Sequence, residues 1–109
     1  MISEVYELNE LKQYKYVVVL SMYQGKILLS RHKSRSTWET QGGHVEAGEI
    51  PLEAAGRELY EESGAVDFDI VPVFDYWAGE EDHSQGACGM VFAARIRTLE
   101  NCRKVRWRR

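Results

Sequence analysis

The sequence contains no apolar run approaching the roughly 20 residues needed to cross a bilayer, and Met1 to Glu10 has neither the basic stretch nor the apolar stretch of a leader. A cytoplasmic protein with no membrane partner is the expectation. Its two cysteines, Cys88 and Cys102, are too few for a disulfide framework, and no second Cys or His pair stands at zinc spacing. Both are expected as reduced thiols. With only 2 Pro, no repeat and no low-complexity segment, nothing marks an interdomain linker. What is present is 109 residues, 44% hydrophobic and 28% charged, which fits one globular domain and excludes disordered or collagen-like chains.

The net charge of -3 hides an asymmetry. Arg103, Lys104, Arg106, Arg108 and Arg109 crowd the last seven residues, so residues 1–102 hold 9 basic against 17 acidic side chains, a formal charge of -8. An acidic body lacks the basic footprint needed for sequence-independent binding to duplex nucleic acid. It suits a protein that collects cations.

Local signals outline the elements. Val5, Leu8 and Leu11 stand three apart, compatible with a short helix or an irregular edge segment. Tyr16 to Tyr23 is a β-branched and aromatic run, Gln24-Gly25 a turn signal, and Lys26 to Arg31 the returning strand of a hairpin. Trp38 to Thr40 reads as a short strand running into Gly42-Gly43. Pro51 to Ser63 is predicted as a helix: Pro51 suits N1, Leu52, Ala55 and Leu59 form an apolar stripe, and Gly64 suits the stop. Ile50 forgoes about 1 kcal/mol of side-chain capping. Asp67 to Trp77 and Gly89 to Arg97 read as two strands flanking a polar loop, Ala78 to Ala87, which together indicate a layered α/β fold.

On the predicted helix Glu58, Glu61 and Glu62 fall at i, i+3 and i+4, so three carboxylates share one face, expected opposite the apolar stripe. Such like-charge pairs weaken a helix by a few tenths of a kcal/mol each, roughly, unless a cation compensates. An all-oxygen set suits Mg²⁺, with Mn²⁺ as the alternative, and Mg²⁺ bound through few carboxylates commonly shares a phosphate-bearing substrate. The competing reading is a solvated acidic face with Arg57 in surface pairs to Glu53 and Glu61.

The spacing of Gly43, Glu49, Arg57, Glu58, Leu59, Glu61, Glu62 and Gly64 matches G-x5-E-x7-R-E-U-x-E-E-x-G-U, U being a bulky apolar residue. At average residue frequencies these eight positions coincide by chance about once in a billion windows. The chain thereby resembles a Nudix hydrolase, over most of residues 15–98; Ala65, at the last box position, is the one departure. The resemblance implies an α/β/α sandwich with a mixed sheet, a loop-helix-loop box at 43–65, and Mg²⁺-dependent hydrolysis of a nucleoside diphosphate linked to X. It implies metal ligation by Glu58, Glu61 and Glu62 with the Gly43 carbonyl, catalytic roles for Glu58, Glu61 and Arg57, and a structural pairing of Arg57 with Glu49. Gly64 closes the box.

Outside the box, Glu80, Glu81 and Asp82 are candidates for the extra base or ligand that many Nudix enzymes recruit from a later loop. The stretch Trp38 to Gly43 looks like the W-E-F-P-G-G segment of the MutT-like group, which acts on oxidised nucleotides, but Thr40 and Gln41 replace the Phe and Pro. Arg31, Arg35, Trp38 and Glu39 are weaker candidates for substrate binding, and Tyr76 and Trp77 could stack a base.

The domain is expected at 1–99. Residues 100–109 form an atypical basic tail, expected to replace the family's C-terminal strand and helix. Under one choice of synonymous codons a single inserted G converts it to GKLPESEMAE, an ordinary family continuation, so a frameshift is one expectation and a functional basic tail another. Loss of a cover would expose an apolar sheet face and favour a homodimer. The expected function is Mg²⁺-dependent pyrophosphohydrolysis of a small-molecule nucleotide, a nucleoside triphosphate or an oxidised one. A silent binding module, and cleavage of ADP-ribose or dinucleoside polyphosphates, are the alternatives.

Overall fold

The structure, a computed structural model, describes residues 1–32, 36–100 and 107–108. Strand β1 (Ile2–Tyr6) is followed by β2 (Tyr14–Tyr23), β3 (Lys26–Leu28), β4 (Arg31–His32) and β5 (Gln41–His44). Helix α1 (Pro51–Ser63) precedes β6 (Ala65–Gly79), β7 (Gly86–Leu99) and β8 (Trp107–Arg108). A six-stranded sheet runs β1-β6-β7-β2-β3 with β5 also on β2, while β4 and β8 form a separate small ladder. Among the described residues β2 and β7 pair in parallel and the other neighbours antiparallel, so the main sheet is mixed.

The predicted hairpin is present: Gln24 at φ 53 and Gly25 at φ 78 make the two left-handed positions of a tight turn, placing Tyr23 opposite Lys26. Helix α1 has the predicted bounds. Gly64 takes φ 81 and returns its N–H to the Tyr60 carbonyl at 2.8 Å, a geometry that a Cβ would strain. At the other end Glu53 compensates for Ile50 by accepting the Ile50 N–H at 3.0 Å, half of a capping box.

One open choice is settled and two expectations need correction. The undecided N-terminal segment contains an edge strand, β1, antiparallel to the far end of β6 from Ile2 opposite Gly79 to Tyr6 opposite Asp75. The strand after Trp38 lies later than predicted, at Gln41–His44; Glu39 makes only an isolated bridge to Ser30, because the ladder with β2 begins where Gln41 meets Val19. Leu52 is exposed rather than buried, and the apolar side of α1 is Ala54, Ala55 and Leu59.

That side packs on Val17, Val19, Phe92, Ala94 and Ile96, the core of the domain. Alternation along each strand sends the other side chains to the opposite face. There Leu20, Met22, Val71 and Val73 are about half exposed. Among the described residues α1 is the one helix, and it covers one face of the mixed sheet, in keeping with the expected α/β class. Arg35 and residues 101–106 and 109 of the basic tail lie outside the described residues; Trp107–Arg108 forms a two-residue ladder with Arg31–His32. No described helix is long and apolar enough to cross a membrane.

Candidate active site

The loop between β5 and α1 is organised by one guanidinium. Arg57 Nε and Nη2 donate to the two carboxylate oxygens of Glu49 at 2.8 and 3.0 Å, and Nη2 also donates to the His44 carbonyl at 3.0 Å. Glu49 in turn accepts the Glu46 N–H at 2.9 Å, closing the turn through Gly48 at φ 83. The bidentate bonds of Arg57 hold the Glu49 carboxyl at about 2, far below the usual range, and the same pairing raises Arg57. Arg57 does not pair with Glu53, as the surface reading required. Its remaining Nη1 reaches Glu58 Oε1 at 3.1 Å and Glu61 Oε2 at 3.4 Å.

The carboxylates are not on the far side of the helix from the apolar stripe. Glu58 and Glu62 are 7% and 4% exposed, on the flank of the buried face that meets β5. Helical spacing places residues 55, 58, 59 and 62 on contiguous surface, so a stripe and its acidic neighbour share an edge. Glu62 Oε1 accepts the Gly42 N–H at 3.0 Å. Gly43 lies so close to Glu58 that a Cβ there would overlap the carboxylate. Gly42 is equally tight for a different reason: its Cβ would meet the Val17 main chain.

These groups open on a cleft of about 470 Å³ that also involves Tyr16, Glu39, His44 and Tyr76. A second cleft of about 490 Å³ shares Tyr16 and Tyr76 and extends to Lys15 and Glu80. The Tyr76 ring lies across Gly89, where a Cβ would strike it, and burial pushes its phenol up. The donor chemistry fits a hard divalent cation: glutamate and main-chain oxygens, two of the carboxylates largely withdrawn from water. Among the described residues no three His, Cys, Asp or Glu side chains converge into a preformed cage. Arg57 holds one oxygen each of Glu58 and Glu61.

The other candidates divide. Glu39 borders the cleft and accepts from Thr37 Oγ1 at 3.1 Å. Arg31 lies over the half-exposed Trp38 ring at 5.2 Å, a cation–π contact beside the site. Glu80 borders the second cleft and also a separate depression that Glu81 and Asp82 line, where Asp82 accepts from the Ser84 hydroxyl. Tyr76 and Trp77 part company, since Trp77 stacks on His83 at 4.6 Å and borders neither cleft. Sequence reasoning missed Tyr16, whose ring meets His44 at 4.8 Å, and the polar side chains of Ser21, Ser30 and Gln41 behind the site. The signal for the last was a glutamine where the resembling motif has proline.

A NUDIX domain family model matches residues 12–98, spanning the box, the cleft and the strands that carry them. The chain belongs to the NUDIX family. A solved pyrophosphohydrolase of Bacillus subtilis superposes over 91% of this chain and 62% of its own, at a TM-score of 0.78 and 29% identity. The RNA pyrophosphohydrolase of Bartonella henselae is 28% identical over 89 residues, which is 73% of this chain and 51% of that protein. A Bacillus subtilis protein provisionally named an 8-oxo-dGTP diphosphatase is 45% identical over 49 residues, 45% of this chain and 32% of its own length. The chain thus spans between about a third and three fifths of these three proteins. The α/β Nudix fold of this NUDIX member is established by that superposition and the family match.

Proposed function

We propose that this NUDIX protein is a divalent-metal-dependent pyrophosphohydrolase acting on a nucleoside diphosphate linked to X, with a 5′-triphosphate as the substrate end. The observation that carries this is the burial of Glu58 and Glu62 against Gly42-Gly43 at one end of a cleft walled by Tyr16 and Tyr76. Glu58, Glu61 and Glu62, with the Gly43 carbonyl, would hold Mg²⁺ or Mn²⁺. Such an ion supplies charge neutralisation at the diphosphate and a more acidic water. Glu58, within the cleft and shielded from bulk water, accepts the proton of the attacking water. Arg57 and Glu49 hold the loop in place, and Tyr16 and Tyr76 offer ring faces to a base.

Both a free nucleoside triphosphate, normal or oxidised, and the 5′ end of an RNA present the required group. RNA is the substrate named for the Bartonella henselae relative, which matches 73% of the chain, and an acidic body is compatible with it if only the terminal phosphates and first bases enter the cleft. Release of phosphate or pyrophosphate is measured with Mg²⁺ from a 5′-triphosphorylated oligoribonucleotide, nucleoside triphosphates, 8-oxo-dGTP, ADP-ribose and dinucleoside polyphosphates. Turnover favouring the oligoribonucleotide by at least about tenfold, some 1.4 kcal/mol, supports the RNA reading, and a preference for a free nucleotide replaces it. No turnover of any compound by folded protein leaves the silent binding module.

Homodimerisation belongs to the same proposal, through the half-exposed Leu20, Met22, Val71 and Val73. Sedimentation should show mass rising with concentration in wild type and a monomer in Leu20→Lys; a monomer throughout ends it. The frameshift origin of residues 100–109 is tested by resequencing the gene, and a downstream frame without apolar strand and helix patterns ends that proposal.

A further inference from the structure

Behind the carboxylates runs a chain of buried hydrogen bonds formed by residues outside the box signature. Gln41 is fully buried, and an unmatched amide there would cost about 1–3 kcal/mol. All its groups are matched. Ser21 Oγ donates to Gln41 Oε1 at 2.5 Å, and Gln41 Nε2 donates to the Leu28 carbonyl at 3.2 Å and to Ser30 Oγ at 2.8 Å. Ser30, also fully buried, donates its hydroxyl to the Glu62 carbonyl at 2.8 Å.

The last bond fixes the direction of the others. A carbonyl only accepts, so Ser30 must spend its proton on Glu62 and accept from Gln41, which turns the amide nitrogen toward Ser30 and the amide oxygen toward Ser21. The Glu62 carbonyl belongs to the final turn of α1, where a helix leaves carbonyls without intrahelical partners. The residue after Gln41 grips the same glutamate from its other end, since Gly42 N–H holds the Glu62 carboxylate. Glu62 is therefore fastened at its main chain through Ser30 and at its side chain through Gly42, and Gln41 anchors both.

We infer that Gln41 is a positioning residue, whose bonds through Ser30 set the register of β5 against the last turn of α1 and so the placement of the Glu58 and Glu62 carboxylates over Gly42-Gly43. The inference rests on the reading of those carboxylates as the working groups. An apolar side chain at 41 could fill the same space, but it could not hold Ser30 in the orientation that ties the helix end.

Gln41→Leu and Ser30→Ala are compared with Ile96→Val, a core change on β7, which does not pair with β5. Three quantities are read: the Gly42 amide proton resonance, binding of Mn²⁺ to the free protein, and kcat and KM. In both network variants the Gly42 resonance should shift away from its carboxylate-bonded position and the Mn²⁺ dissociation constant should rise about tenfold or more. Where turnover exists, kcat should fall by a similar factor with KM changed less than about twofold, in line with the effect of removing groups that support metal ligands. Ile96→Val, compared after correction for its lower urea midpoint, should leave the resonance and the Mn²⁺ affinity unchanged. Unaltered resonance and Mn²⁺ affinity in the network variants, or equal changes in Ile96→Val, overturn the inference while leaving any measured turnover standing. Altered resonance and affinity in the network variants, alongside a wild type that hydrolyses nothing, support the inference and count against the activity reading alone. Should Gln41→Leu not fold, the smaller Ser30→Ala decides.

Discussion

Gly43→Ala is expected to leave the protein folded and to remove its catalysis. The added Cβ would overlap the Glu58 carboxylate, the far end of a flexible side chain, so the strain is relieved by turning Glu58 aside rather than by moving main chain. The stability change should stay within about 1 kcal/mol. Turnover should fall roughly a hundredfold, the usual consequence of misplacing a reacting group by about 1 Å. Gly42→Ala should do the reverse in emphasis, because its Cβ meets the Val17 carbonyl and the two strands must separate. A loss of about 1–3 kcal/mol follows. Urea midpoints and kcat for the two variants check both statements, and equal stability losses would contradict the placement of Glu58.

Arg57→Leu carries the second large effect. It removes the bidentate bond to Glu49 and the bonds to Glu58, Glu61 and the His44 carbonyl, and takes away the cation shared by Glu46, Glu49, Glu58 and Glu61. Arg57 remains 27% exposed, so the loss should be about 1–3 kcal/mol, below that of a fully buried pair. Arg57→Lys should not restore it, since a single ammonium cannot span two oxygens and a carbonyl in that fork geometry. The pH dependence has a defined sign. Glu49 is depressed from 4.5 to about 2 in the folded chain, so its contribution is present above about 4.5 and is lost as pH falls toward 2. In Arg57→Leu that slope should flatten. Urea midpoints at pH 7, 4 and 3 test it, and an unchanged slope would assign the acid sensitivity elsewhere.

Much of this geometry was legible because its causes are local. Pro51 and Gly64 bound the helix by their own backbone preferences, and Gln24-Gly25 bounds the hairpin in the same way. The Arg57–Glu49 pairing followed from the motif. The side of α1 that carries Glu58 and Glu62 was misjudged because a helical projection cannot tell a solvated edge from one covered by β5, which arrives from residues 41–44. Strand β1 was undecidable for a similar reason: its pairing partner is the far end of β6, and the following segment is held by Asp75, which accepts from Leu11 N–H and Tyr14. Gln41 was noticed as a departure, yet its partners Ser21 and Ser30 come from two other segments, and only the folded register unites them.

Divalent-cation binding by the glutamates on the β5 side of α1 is what the proposed pyrophosphate-bond hydrolysis depends on. Its most direct test is the rate of phosphate or pyrophosphate release from a 5′-triphosphorylated oligoribonucleotide and from nucleoside triphosphates across a Mg²⁺ titration. Wild type, Glu58→Gln and Glu61→Gln are compared. Saturable Mg²⁺-dependent turnover in wild type, reduced at least about a hundredfold in both variants with the fold retained, is the expected result. Turnover independent of Mg²⁺, or undiminished in both variants, would contradict it.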